Sequence, residues 1–381
     1  MPKCIRNFED LVIADTYRVG RLLGYGGMGR VHEATHLRLP KKFAVKFLEQ
    51  RLLRDALAYV RFRREAEIAS SLGNPHIAQV LDFNTLPDGA PYMIMELLEG
   101  EDLGSRLRWG PMSVVEVVRL SEHLALGLGE AHERGVIHRD IKPENIFLCS
   151  REEGEPFIAK VLDFGVSTLR VSRGLTGVGS LVGTPAYMSP EQAHVIANKV
   201  DHRADVYSVA SVLWEALAGK PLWDGVDGFE ILTKVATREP PPLERHPAQV
   251  GAVLRRGLSR DPDDRPSSVR ELHEELIAAI AASHPEVARR ELAPVAAPTE
   301  VDALPIEAPA PIEAPAPVEV EPRVDPVART EVGDAVLPGI GATRATRMLR
   351  LRRGRALLVE AGALAAILVV TLALSAGPEP A

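Results

Sequence analysis

Short runs of apolar and polar residues dominate the first hundred positions of the chain. Residues 17–23 alternate as a β-strand does, and residues 30–36, 41–48 and 91–100 have the length and apolar content of further strands. Among them, residues 55–72 carry a helical pattern, which a Gly-Asn-Pro sequence then ends. The pattern predicts a first lobe built mainly of strands, with one helix.

The pattern changes beyond the first lobe. Residues 115–134 are predicted to form one long helix despite two glycines. Residues 285–343 then turn to Ala, Pro, Val and Glu, and eleven of the 30 prolines lie between 285 and 338. The latter stretch has 11 acidic and 4 basic residues and no aromatic one. Such a segment cannot bury a core, which favours an extended flexible tether over a proline-rich docking ligand.

The C-terminal residues combine a basic cluster with an apolar run. Residues 344–355 contain six arginines and no acid, and residues 361–378 carry no charge. Residues 356–376 would span about one bilayer, with the arginines marking the cytoplasmic side. The alternative is an alanine-rich soluble helix. We therefore expect a single-pass inner-membrane protein with a cytoplasmic N-terminal unit, and a soluble cytoplasmic protein is the alternative.

Charge and cysteine content exclude several other classes. The formal net charge is 45 − 52 = −7, so no global basic excess indicates a nucleic-acid partner. Only two cysteines occur, which rules out a disulfide framework and a cysteine-rich metal site and fits a reducing compartment. Charged residues interrupt the N-terminus, so no secretory signal is predicted there.

A glycine-rich turn joins the first two predicted strands. Gly24, Gly26 and Gly29 have G-x-G-x-x-G spacing, which removes Cβ atoms where backbone must approach phosphate oxygens. Dinucleotide-binding folds use a similar spacing, but there a helix follows the loop. A strand is predicted here, so we expect a hairpin that covers phosphates. Behind it, Lys46 lies in an apolar strand, and phosphate contact is favoured over an edge position.

Two acids on the predicted helix could fix Lys46. Glu65 and Glu67 are two residues apart, about 200° around a helix, so only one can turn inward. The helix pattern by itself leaves this choice open.

One loop further along carries the residue types that phosphoryl transfer needs. Asp140, Lys142 and Asn145 supply, in that order, a carboxylate to orient a hydroxyl, a positive charge for the moving group, and an oxygen ligand for magnesium. Asp163, before a glycine turn, supplies a second hard oxygen donor.

Together these motifs resemble the eukaryotic-type (Hanks-type) serine/threonine protein kinases, and bacterial membrane-anchored members most of all. The resemblance rests on the glycine loop, Ala-Val-Lys46, His138-Arg-Asp-Ile-Lys-Pro-Glu-Asn, Asp163-Phe-Gly, Gly183-Thr-Pro-Ala-Tyr-Met-Ser-Pro-Glu-Gln and Asp261-Pro-Asp-Asp-Arg-Pro. It implies an α+β, bilobal kinase fold with a small β-rich N-lobe and a larger helical C-lobe. A disordered spacer and one C-terminal helix would follow. With the composition and charge of the remaining residues, the predicted segments are an extension at 1–16, the kinase domain at 17–280, the linker at 285–343, the basic segment at 344–355 and the membrane helix at 356–376.

The resemblance assigns roles to single residues. Asp140, Lys142, Lys46 and Glu65 would be catalytic, with Glu65 preferred to Glu67 as the ion-pair partner of Lys46. Magnesium, or manganese in its place, would bind at Asn145 and Asp163. The residues implied in ATP binding are Leu23, Gly24, Tyr25, Gly26, Gly27, Met28, Gly29, Arg30, Val31, Ala44, Lys46, Met95, Glu96 and Leu98.

Three further residues are implied in stabilising the second lobe. Asp205 would anchor the catalytic loop, and Glu191 would pair with Arg265. Ser189 departs from the family's usual alanine, which is a small-for-small change.

The family's motifs also indicate the substrate class and the regulation. Lys142 and Thr184 are typical of the serine/threonine-specific form, and Thr184 would support Asp140. Thr176, Ser180 and Thr184 are the regulatory candidates, and a phosphate on Thr176 could pair with Arg139.

Three interpretations of function follow. The first is an active kinase that phosphorylates protein Ser/Thr hydroxyls, including its own in trans. The second is a pseudokinase scaffold, which should lack a catalytic lysine, aspartate or asparagine, and none is lacking. The third is a small-metabolite kinase, which the Gly-Thr-Pro-Ala-Tyr segment argues against. Partners would be protein substrates, a second copy of the chain and a membrane, but no nucleic acid.

Overall fold

The structure is a computed structural model that describes residues 8–26, 29–49, 52–53, 55–150, 156–164, 185–193 and 200–283. In the N-lobe, six antiparallel strands form one sheet in the order β1-β2-β3-β4-β6-β5. Their bounds are β1 Val12–Ile13, β2 Tyr17–Tyr25, β3 Gly29–His36, β4 Lys42–Leu48, β5 Val80–Thr85 and β6 Pro91–Glu96.

Part of the predicted N-terminal extension joins this sheet. β1 pairs with β2, and the Phe8 ring stacks on Phe47 with centroids 4.1 Å apart. Phe8 is 6% exposed, so it extends the hydrophobic core on that face of the sheet. The N-lobe core therefore includes residues that precede the predicted domain boundary.

Helix α1 (Ala56–Ser71) covers the other side of the sheet. The Asp55 carboxylate caps its N-terminus by accepting from the Leu57 amide. Its buried residues recur every three or four positions, which is the spacing of one helix face. Glu65 is the one acid on that buried face, and it therefore needs an internal partner.

The C-lobe is mainly helical. Its described helices are α2 Leu103–Leu107, α3 Val114–Glu133, α4 Pro190–Ala193, α5 Arg203–Ala218, α6 Gly228–Thr237, α7 Ala248–Gly257 and α8 Val269–Ser283. α5 is buried almost throughout and packs against α3, α7 and α8. A capping box of Ser113 and Glu116 begins α3.

A small sheet of β7 (Gly100–Asp102), β8 (Ile146–Cys149) and β9 (Ile158–Val161) places the loops that matter for function. Residues 135–145 precede β8, and Leu162 to Phe164 follow β9. The ladder continues past β9, because the Leu162 amide donates to the Asn145 carbonyl at 2.8 Å. The ends of the two loops therefore lie side by side.

The structure confirms the bilobal α+β fold that the sequence predicted. Helices α1 and α3 begin and end within one residue of the bounds predicted from the sequence, 55–72 and 115–134. The predicted linker, basic segment and membrane helix lie outside the described residues. Within the part that is described, no helix is long and apolar enough to cross a membrane.

Candidate active site

The glycine turn is a hairpin between β2 and β3, as its sequence predicted. Gly26 and Gly29 exchange backbone hydrogen bonds of 2.8 and 3.3 Å. A Cβ at Gly29 would collide with the Phe47 carbonyl, whereas one at Gly24 would meet nothing within 4 Å. Gly29 thus allows strand β3 to approach β4. Gly27 and Met28, also predicted to bind ATP, lie outside the described residues.

Lys46 on β4 lies between two carboxylates. Its Nζ is 2.7 Å from Glu65 Oε1 and 2.7 Å from Asp163 Oδ2, and the lysine is 2% exposed. Glu67, the alternative partner, instead accepts from Arg63 at 2.9 Å on the helix surface. The structure therefore joins the N-lobe strand, helix α1 and the Asp163 loop at one ammonium group.

The charges of this triad depend on one another. Burial alone would favour a neutral amine, but the carboxylates of Asp163 and Glu65 outweigh it and raise the pKa of Lys46. Burial also opposes ionisation of Asp163, yet the ammonium keeps the pKa of Asp163 below its usual range. For Glu65, burial dominates and raises its pKa. Removing the ammonium therefore leaves two buried carboxyl groups without their common partner, whereas removing one carboxylate leaves Lys46 paired with the other.

Several of the residues predicted to bind ATP lie on the strands that surround Lys46. Val31 is the ladder partner of Lys46, and Ala44 is the partner of Met95. Leu23 is 39% exposed, and Leu98 follows the end of β6. Tyr25 is exposed, with the Arg30 guanidinium 5.8 Å from its ring centroid. These residues offer an apolar surface beside the candidate phosphate site.

Glu96 and Leu98 belong to the hinge, which is the segment of residues 96–98 at the end of β6. The Glu96 side chain has a set of partners that the sequence did not predict. Lys160 on β9 donates to both of its carboxylate oxygens at 2.7 and 2.9 Å, and the Gln79 amide donates to Oε1 at 2.8 Å. The Glu96 side chain thus ties β6 to β9. The sequence shows that Lys160 lies three residues before Asp163, but no local pattern indicates that Lys160 pairs with Glu96.

Asp140 lies in a short loop with the two residues predicted to act beside it. Lys142 Nζ donates to Asp140 Oδ2 at 2.8 Å. The Asn145 amide donates to the Asp140 carbonyl at 2.8 Å and to Oδ2 at 3.0 Å. The Asp140 side chain is 33% exposed, so its carboxylate remains accessible to a substrate.

Asp205 on α5 anchors the loop that carries Asp140. It is fully buried and accepts from the backbone amides of His138 and Arg139, both at 2.8 Å. His132 Nε2 lies 2.8 Å from the same carboxylate. Burial opposes the charge on Asp205, but these hydrogen bonds keep its pKa below the usual range.

His138 connects the catalytic loop to the Asp163 loop. Its Nδ1 accepts from the Asp140 amide at 3.2 Å, which places the ring proton on Nε2. Nε2 is 2.9 Å from the Leu162 carbonyl and donates to it. One buried side chain thus fixes the spacing of the two loops that carry Asp140 and Asp163.

Asn145 and Asp163 suit a divalent cation in kind and number. The Asn145 NH₂ group faces two acceptor atoms of Asp140, which identifies the other end of the amide as its oxygen. An amide oxygen and a carboxylate are hard ligands, and Mg²⁺ is usually held by one or two protein groups plus substrate phosphates. Among the described residues, no group of three or more His, Cys, Asp or Glu side chains could hold a metal ion.

The C-lobe ion pair is present. Arg265 donates to both carboxylate oxygens of Glu191 at 2.7 Å, and its guanidinium lies 5.2 Å from the Tyr207 ring centroid. Arg265 is 2% exposed. The pair joins helix α4, which contains Glu191, to the segment before α8.

The chain matches the protein kinase domain family over residues 17–277 and therefore belongs to the protein kinase family. It is 41% identical over 276 residues to serine/threonine-protein kinase pkn3 of Myxococcus xanthus, which covers 69% of this chain and 50% of that protein. It is 35% identical over 283 residues to serine/threonine-protein kinase PknB of Mycobacterium leprae, which covers 72% and 44%. The chain thus spans half or less of the length of these relatives.

A solved structure shares the fold. The crystal structure of the Mycobacterium tuberculosis PknI kinase domain has a TM-score of 0.56 and 28% sequence identity, covering 72% of this chain and 100% of that one. The family uses ATP and a divalent metal, and the described residues fit both.

Proposed function

We propose that this chain is an active serine/threonine protein kinase that transfers the γ-phosphoryl group of ATP to protein hydroxyls. The observation that carries the proposal is the simultaneous presence of the Lys46–Glu65–Asp163 ion pairs and the Asp140–Lys142–Asn145 hydrogen bonds. Its relatives support the substrate class, because they are serine/threonine-protein kinases.

Each group has a separate task in this proposal. Lys46 would bind the α- and β-phosphates, and Asp140 would accept a hydrogen bond from the attacking hydroxyl and orient it. Lys142, already at Asp140, would stabilise the charge of the moving phosphoryl group. Asn145 and Asp163 would hold Mg²⁺, which when bound supplies charge neutralisation.

The direct test is phosphorylation by the full-length chain, purified in detergent, with Mg²⁺ and γ-labelled ATP. Mass spectrometry should place phosphate on Ser or Thr of the chain or of an added protein. A folded, ATP-binding chain that transfers no phosphate either in detergent or after reconstitution into membranes would instead support the scaffold.

The proposal also includes activation by autophosphorylation of the segment between Asp163 and Glu191. The buried Nε of Arg139 has no hydrogen-bond partner among the described residues. A phosphate on the segment between Asp163 and Glu191 could satisfy it. The candidates Thr176, Ser180 and Thr184 lie outside the described residues.

We expect Thr176→Ala to lower turnover about tenfold, because Arg139 would lose a phosphate partner. Initial rates after preincubation with ATP would measure this, with Ser180→Ala compared in parallel. Equal turnover of wild type and Thr176→Ala would contradict a role for Thr176.

Membrane anchoring through residues 356–376 is also part of the proposal, supported by the uncharged run and the arginine cluster before it. Copies held together in a membrane would favour phosphorylation in trans. The full chain should remain in alkali-washed membranes, and a chain that ends at residue 343 should not. A monomeric, fully active full chain in detergent would contradict the need for clustering.

A further inference from the structure

The Gln192 side chain joins α4 to the catalytic loop. It is 5% exposed, and its Nε2 donates to the Arg139 carbonyl at 2.8 Å. Its Oε1 accepts from the Ser189 amide at 3.1 Å and from the Ser189 hydroxyl at 3.0 Å. Gln192 and Arg139 are 53 residues apart in the sequence, so the side chain connects two separate segments.

Chemistry fixes the orientation of this amide. The Ser189 backbone N–H can only donate, so the atom facing it must be the oxygen of Gln192. The Arg139 carbonyl can only accept, so the atom facing it must be the nitrogen. Turning the amide over would lose both hydrogen bonds to backbone groups, whereas the Ser189 hydroxyl could accept instead of donate.

The bond to Arg139 matters because of where that carbonyl lies. Arg139 has φ 66°, a left-handed conformation that a non-glycine residue adopts only when its surroundings enforce it. Asp205 holds the amide groups of His138 and Arg139. Gln192 holds the carbonyl of the next peptide, whose N–H belongs to Asp140.

We propose that Gln192 is a positioning residue that fixes the peptide plane between Arg139 and Asp140 and thereby the direction of the Asp140 carboxylate. The inference rests on the proposed kinase function. Asp205 does not hold that peptide. His138 Nδ1 accepts from its N–H at 3.2 Å, and Gln192 donates to its carbonyl at 2.8 Å, so the two side chains together fix its plane and the loss of Gln192 leaves only the longer hydrogen bond.

The alternative is that Gln192 only stabilises the fold and does not position Asp140. A buried glutamine could serve only to satisfy the Ser189 amide, since buried donors need acceptors. The two ends of the side chain can be separated by substitution. Gln192→Glu keeps an acceptor for Ser189 but replaces the donor to Arg139 with an oxygen. Gln192→Met removes both.

The experiment compares kcat and KM for ATP of the full chain with those of Gln192→Glu and Gln192→Met. We expect both variants to lower kcat about 10- to 100-fold, because small misplacements of a catalytic group have effects of that size. Gln192→Glu should be at least as slow as Gln192→Met, since it also places two acceptors together. KM for ATP should stay within about twofold, because Lys46 and the hinge do not contact Gln192.

Ser189→Ala is the matched variant, since it removes one hydrogen bond to Oε1 and leaves the bond to Arg139. Its kcat should fall less than about threefold. Circular dichroism and ATP binding would check that every variant is folded. Should Gln192→Met not fold, Gln192→Glu against Ser189→Ala still provides the test.

The outcomes separate the possible errors. Wild-type kcat in a folded Gln192→Met, or in Gln192→Glu at a pH where its carboxyl group is ionised, would overturn the positioning role and leave the kinase proposal intact. A raised KM for ATP with unchanged kcat would also overturn it. A wild-type chain that binds ATP without turnover would overturn the proposed function, and this inference with it.

Discussion

Asp140→Asn is expected to lower kcat by about 10²- to 10⁴-fold, the range for losing a group that accepts a proton or orients a nucleophile. Asparagine has nearly the same shape, but it lacks the negative charge that attracts the donors on Lys142 and Asn145. It also accepts a hydrogen bond from a substrate hydroxyl more weakly. Because Asp140 makes no contact with Lys46 or the hinge, ATP binding should change little.

The measurement is turnover with a protein substrate, together with ATP affinity by calorimetry. Asp263→Asn is the control, because Asp263 is 82% exposed at its side chain and pairs only with Arg203 among the described residues. It should keep full activity. If Asp140→Asn kept more than about one tenth of the wild-type kcat, another group would have to orient the hydroxyl.

Residues whose role depends on local sequence were predictable. The strands around the glycine turn follow from alternation, and the ladder places Val31 opposite Lys46. Helix geometry limited the partner of Lys46 to one of two acids, and the family motif selected Glu65. The structure shows that pair at 2.7 Å.

Contacts between distant segments were not predictable from one sequence. Lys160 and Glu96 are 64 residues apart, and Gln192 and Arg139 are 53 apart. Neither pair has a spacing that a helix or a strand would impose. Lysine and glutamine are also common at surfaces, so only the folded chain reveals that both are held in place.

The buried charges explain why the site has so many partners. Asp205, Glu65, Lys46 and Arg265 are each at most 4% exposed, and each has an oppositely charged or hydrogen-bonding partner. Buried charges without partners cost several kcal/mol. The residues proposed for chemistry therefore depend on each other for stability, and substitutions in the site should affect folding and activity together.

Lys46→Met should show this double effect. Methionine has a similar length and no charge, so the carboxylates of Glu65 and Asp163 would lose their common ammonium. We expect turnover to fall at least about 10²-fold, the size of losing one well-placed charged or polar group. ATP affinity should fall as well, in contrast to Asp140→Asn, because Lys46 is proposed to contact the phosphates. The free energy of unfolding should fall by about 3 kcal/mol.

The effect on stability should depend on pH. Burial raises the pKa of Glu65, and removal of the ammonium raises it further. A carboxyl group whose pKa is higher in the folded than in the unfolded state binds more protons when folded, so stability falls as pH rises above the unfolded value. Because the pKa of Glu65 is already raised to about 8 in the wild type, Glu65 is mostly protonated at neutral pH in both proteins, and its titration should separate their stabilities only above about pH 8. The ammonium lowers the pKa of Asp163, so the part of the stability difference that comes from Asp163 should be present at neutral pH and should shrink as the pH is lowered below about 4.

Urea unfolding of the full chain at several pH values, with ATP binding at neutral pH, tests this prediction. Lys42→Met is the matched control, because Lys42 lies on the same strand with its side chain 59% exposed and pairs with Glu33 at 2.8 Å. Surface pairs contribute about 0–1 kcal/mol, so this variant should unfold almost as wild type does. The stability of Glu65→Gln should lie between those of Lys46→Met and Lys42→Met, since Lys46 remains paired with Asp163. If Lys46→Met matched Lys42→Met in stability and in ATP affinity, the buried triad would have neither role.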